Sequence, residues 1–164
     1  MGWSRCCLPM RKAFQRYREL DPEARKLFRR AGLLLPLVAV SLRLRGFTKT
    51  KMGLQSRLSA SAALELKAEQ AAEAVQRTCR MVRAAMRYGT IHATCLEVSL
   101  VLWYLLKKQG VAVDLRIGVR KLNDKFEAHA WVEYQGAALN QAEDRHRHFA
   151  AFDSEFSELP GAKP

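Results

Sequence analysis

The chain has 164 residues, 49% of them apolar and 27% charged, a globular balance that excludes wholesale disorder and suits one domain or one domain with a helical arm. Its net charge of +12 is unevenly spread: residues 1–60 carry 14 basic and 3 acidic side chains, residues 61–164 carry 14 and 13. The basicity therefore belongs to the N-terminal arm, and the overall charge does not make the whole molecule a nucleic-acid binder.

The first region, residues 1–60, reads as a basic helical arm, and residues 61–164 as the domain proper. Cys6 and Cys7 are adjacent, a poor geometry for a mutual bridge, and with Cys79 and Cys95 they form no disulfide framework or zinc spacing; the expected compartment is reducing and intracellular. Asp21-Pro22-Glu23 reads as an N-cap, a proline at the first helical position and an acid in the first turn. The helix behind it is expected to use Leu27, Phe28, Leu33, Leu34, Leu37 and Val38, to kink at Pro36 and to end at Gly46. The apolar run Ala31–Val40 is ten residues long, about half a membrane span. The arm's basic side chains are either a solvated face or a surface for anionic lipid or an acidic partner.

A long helix is expected over residues 62–88, where Leu64, Ala68, Ala71, Val75, Cys79, Val82 and Met86 recur three and four apart, with Gly89 as its stop. Cys79 reads there as a small core hydrophobe. Beyond Thr90 the character changes. Thr94 and Glu97 have the spacing of a capping box, and Leu96–Leu106 behind it is apolar nearly all round, as a helix buried on every side requires. Lys107, Lys108 and Gly110 close that helix. Residues 111–119 alternate as a half-buried strand, Phe126–Tyr134 form a second, and Gln135-Gly136 turns into a third that runs through Leu139 to about Gln141. A central buried helix followed by an antiparallel sheet is an α+β layout.

Cys95 stands in the first turn of the buried helix, where unpaired N–H groups and the positive end of the dipole favour an anionic sulfur and could donate to an oxyanion. On the second strand Glu127, His129, Trp131 and Glu133 share a face. A cysteine at a helix start followed by a histidine on the sheet is what cysteine acyl-transfer chemistry needs, since imidazole and sulfur must meet. The bland alternatives are an inert core cysteine and a solvent-facing histidine. His92 could line the site or simply face solvent. His146 and His148 lack an evident third metal ligand, and Trp131 suits a cleft wall or a core equally well.

Three blocks in order, Cys95-Leu96-Glu97-Val98-Ser99-Leu100-Val101-Leu102, Ile117-Gly118-Val119-Arg120-Lys121 and Ala128-His129-Ala130-Trp131-Val132-Glu133 with Gly136 following, resemble the lasso-peptide leader peptidases. These are the transglutaminase-like, papain-type cysteine peptidase half of the split B protein. Leu34, Pro36, Leu37, Gly46 and Phe47 resemble that family's N-terminal region. The resemblance implies a transglutaminase-like core and hydrolysis of one peptide bond, which frees a leader from a lasso precursor before a macrolactam cyclase acts. It also implies a separate leader-recognition protein, a bacterial cytoplasmic setting, and no cofactor or metal.

The family's triad is Cys, His and an acid. Cys95 and His129 match, Asn140 matches an asparagine that precedes the acid, and Gln141 stands where the acid would be. A glutamine carbonyl can hold the imidazole tautomer, but it stabilises the imidazolium less than a carboxylate. A three-residue turn would place residue 141 opposite Trp131, and a two-residue turn would place Asn140 there. Glu143 and Asp144 are more distant candidates. The alternatives to an enzyme are a catalytically impaired binding module of the same fold and, last, a basic nucleic-acid binder, disfavoured because the arm lacks interleaved aromatics.

Overall fold

The computed structural model describes residues 17–59, 67–89, 92–122, 125–140 and 149–152. Asp21 caps the first helix through Oδ1, which accepts the Ala24 amide at 2.8 Å. That bond holds the Asp21 carboxyl below its ordinary range. Helix α1 (Pro22–Ser59) then runs with helical angles except at Gly46, where φ is 74° and ψ is 177°. In a straight helix, residues nine apart lie about 13.5 Å from each other, yet Ser41 Oγ and Thr50 Oγ1 stand 2.9 Å apart. The chain therefore doubles back at Gly46. Thr50, buried in the bend, donates to the Gly46 carbonyl at 2.8 Å and so accepts from Ser41.

The buried stripe of α1 is Ala24, Leu27, Ala31, Leu35, Val38 and Ala39, whereas Leu33 and Leu37 face outward. This corrects the expected core face. The almost uninterrupted apolar stretch from Ala31 to Val40 supports more than one helical register, and the one chosen puts small alanines where helices approach closely. Pro36 lies inside the helix and Gly46 carries the break.

Helix α2 (Ala68–Tyr88) buries Ala71, Val75, Thr78, Met81, Val82 and Ala85. Residues 60–66, where the helix was expected to begin, lie outside the described residues. Helix α3 (Cys95–Lys108) has the expected capping box and is buried from Glu97 to Leu106. Its far end is a Schellman motif: Val111 N donates to Leu106 O at 3.1 Å, Gly110 N donates to Lys107 O at 3.0 Å, and Gly110 has φ 80°. Gln109 Nε2 reaches Thr78 Oγ1 on α2 at 2.9 Å. Residues 31, 35, 38 and 54 of α1 join α2, α3, Leu115 and Val132 in one core.

The sheet is antiparallel, in the order β3-β2-β1-β4, with β1 (Asp114–Leu122), β2 (Lys125–Tyr134), β3 (Ala137–Ala138) and β4 (Ala150–Phe152). Strand β1 begins at 114 rather than 111 because Val111 is committed to the helix cap. Strand β4 was not expected, and β3 is shorter than expected. The fold is α+β, with α1 and α2 packed on α3 and α3 packed on β2.

Candidate active site

The capping box fixes where α3 begins. Thr94 N donates to Glu97 Oε2 at 2.6 Å and Glu97 N donates to Thr94 Oγ1 at 3.4 Å, which places the half-buried Cys95 at the first helical position. The thiol is not in a disulfide. His129 lies in the middle of β2, opposite Gly118 of β1, where the neighbouring strand offers no side chain to crowd the ring. Alternation puts Ala130 and Val132, both buried, on one face, and His129 with Trp131 on the other. The His129 ring stacks on Trp131 at 6.1 Å between centroids and meets Phe149 at 5.3 Å. Arg116–Glu133 and Arg120–Glu127 ion pairs, at 2.9 and 2.6 Å, flank it on the same face.

Cys95, His129 and Asn140 all line one cavity of about 250 Å³. Its remaining wall is mostly apolar: Val82 and Met86 from α2, Val98 and Leu102 from α3, and Leu139, with Arg83 and Cys79 also on the α2 side. Burial pushes the Cys79 thiol up to about 11, against a weaker opposing pull from Arg83. His129 also lines a second cavity of about 290 Å³, with Arg120, Glu127, Ala128 and Phe149. His129 therefore borders two spaces, only one of which contains Cys95.

The hairpin after β2 turns on two residues, since Tyr134 pairs with Ala137 and Glu133 with Ala138. Both turn residues have positive φ, Gln135 at 49° and Gly136 at 79°, the geometry of a type I′ turn. Continued past Ala138, this register brings residue 140 across from Trp131. Leu139 N still donates to Val132 O at 2.9 Å, but Asn140 then uses its side chain as a surrogate strand. Its Oδ1 accepts the Val132 amide at 2.9 Å and its Nδ2 donates to Ser99 Oγ at 2.8 Å. Gln141, Glu143, Asp144, His146 and His148 lie outside the described residues. His92 is exposed just ahead of Thr94. Among the described residues no group of three His, Cys, Asp or Glu is placed to hold a metal ion.

Ser99 is the residue that sequence reasoning passed over. It is fully buried, and its hydroxyl lies 2.7 Å from the Cys95 carbonyl and 2.9 Å from the Ala130 carbonyl while accepting from Asn140. One hydroxyl thus ties the helix that starts with Cys95 to the strand that carries His129. The available signal was a polar residue in an otherwise apolar helical run, one turn after the cysteine.

A family model described as the transglutaminase-like superfamily matches residues 34–153. Comparison with curated proteins and with solved structures returned no match.

Proposed function

The chain belongs to the transglutaminase-like superfamily, and from that premise we propose that it is a cysteine peptidase that removes the leader from a lasso-peptide precursor in the bacterial cytoplasm. The observation that carries the peptidase part is the shared cavity: Cys95, at the start of a capped, buried helix, and His129, from the sheet, are both among the residues that line it. The lasso part rests on the sequence blocks around Cys95, Gly118 and His129.

In this reading His129 takes the proton from Cys95 Sγ, and the sulfur attacks the scissile carbonyl. The first-turn amides of α3 that the capping box does not use, those of Cys95 and Leu96, donate to the oxyanion. As the tetrahedral intermediate collapses, His129 returns its proton to the departing amine, leaving an acyl thioester. Water activated by His129 then releases the leader acid and regenerates the thiol. The imidazole must reach the sulfur for this to occur. Ser99 and Asn140 hold the two elements at a fixed separation; Gln141 or Asn140 accepts from the ring and sets its tautomer.

The test is incubation of the chain with precursor and leader-recognition protein, followed by mass spectrometry. Cleavage at one bond that is lost in Cys95→Ala and in His129→Ala supports the proposal. Undiminished cleavage by Cys95→Ala refutes it. A second reading, a non-catalytic binding module, is favoured by the packing of the His129 ring on Trp131 and Phe149; leader binding without cleavage in the same experiment would select it.

A further inference from the structure

Helix α1 carries a second apolar face. Beyond the stripe it buries, Leu33, Leu37, Val40 and Leu44 are 67%, 62%, 53% and 79% exposed. Their spacing of four, three and four residues aligns them along one side of the helix, a ridge about 16 Å long at 1.5 Å per residue. Exposed Arg29 and Arg30 continue the same side toward the N-terminus, beyond which Lys26 pairs with Glu23 at 3.6 Å, and exposed Arg43, Arg45 and Lys49 flank its other end. Between Glu23 and Glu65 the sequence contains no carboxylate, while nine Lys and Arg fall in that interval. A row of large apolar side chains of this kind on a folded surface marks a contact site.

We propose that this ridge docks the protein on an anionic lipid bilayer. Its leucines enter the headgroup–acyl boundary, and its cations pair with phosphate diesters around them. From Arg29 to Lys49 the rim carries one sign, and this selects the occupant: a bilayer of acidic lipids offers negative charge on every side of an apolar contact, which a protein groove seldom does. No described helix is long and apolar enough to cross a membrane, so the contact lies in the plane of the surface. It does not depend on the peptidase reading.

The probe is co-sedimentation of the full chain with vesicles of phosphatidylcholine alone or mixed with phosphatidylglycerol. Binding should require phosphatidylglycerol and weaken as salt is raised. Leu37→Glu with Leu44→Glu, both at exposed positions, should lower binding by about a hundredfold, since each buried leucine is worth about tenfold or more. Arg43→Gln with Arg45→Gln should lower it by about thirtyfold. Circular dichroism and thermal melting of the variants matching the parent chain show that the fold is kept. The proposal is overturned by failure to sediment with anionic vesicles, by equal binding to neutral ones, or by leucine variants that bind as well as the parent. It is also overturned if those variants keep vesicle binding but lose association with the precursor and its recognition protein, in which case the ridge serves a protein.

Discussion

Replacing Ser99 with alanine removes one oxygen from the junction between the helix of Cys95 and the strand of His129. The Cys95 carbonyl keeps its ordinary place in the helical ladder, so the loss falls on two groups. The Ala130 carbonyl loses its donor at 2.9 Å and the Asn140 amide its acceptor at 2.8 Å. A buried group left without its partner costs about 1–3 kcal/mol, so the variant should lose about 2–4 kcal/mol, a large part of a domain's stability. At about 2–4 °C per kcal/mol for a chain of this size, its melting temperature should fall by about 5–15 °C. Asn140→Ala should cost a similar amount, because it also orphans the Val132 amide. The double variant should be milder than the sum of the two by about 1 kcal/mol, since the Ser99–Asn140 bond is lost once and not twice. Urea unfolding of all four proteins measures the cycle. Strict additivity would show that the two side chains do not act as one unit and would refute this account of the junction.

Gly46→Ala should destabilise the chain by about 1–3 kcal/mol, because φ 74° with ψ 177° lies in a region essentially reserved for glycine. Gly53→Ala, at a helical position where an added Cβ meets nothing within 4 Å, should instead stabilise it by about 0.5–1 kcal/mol; paired thermal melts compare the two signs. Cys79 has its folded pKa raised from 9.0 to about 11, so the folded state binds more protons than the unfolded one above pH 9. Stability should therefore fall by about 1.4 kcal/mol per pH unit between those values, and Cys79→Ala should flatten that decline in denaturant titrations. Thr94→Ala, which removes the acceptor from the capping box, should cost about 1 kcal/mol and, on the proposed function, lower peptide cleavage by displacing the start of α3.

Local chemistry made much of this legible. The caps at Asp21 and Thr94, the glycine at 110 and the alternation of β2 are short-range signals, and each fixed an element boundary within a residue or so. The apolar stretch of α1 was not legible in the same way. Ala31 to Val40 has too little polarity to choose a face, and the choice was made by the close approach of α2 and α3. The turn at Gln135-Gly136 left two registers open until pairing showed that two residues close it. Cys95, His129, Asn140 and Gln141 were singled out as side chains suited to chemistry; the first three line one cavity, and Gln141 lies beyond the described residues. Ser99 was missed because its role exists only once the helix and the strand are in contact.

The sheet joins one long ladder, nine residue pairs between β1 and β2, to flanks of two and three pairs. Amides in the ladder should exchange with deuterium slowly and those of the flanks quickly, as cooperative units of unequal size do. His129 belongs to the slow unit, while Asn140 hangs from the short flank. The pocket can therefore breathe on one side without melting the domain, and whatever enters it would pass on the side where Asn140 hangs.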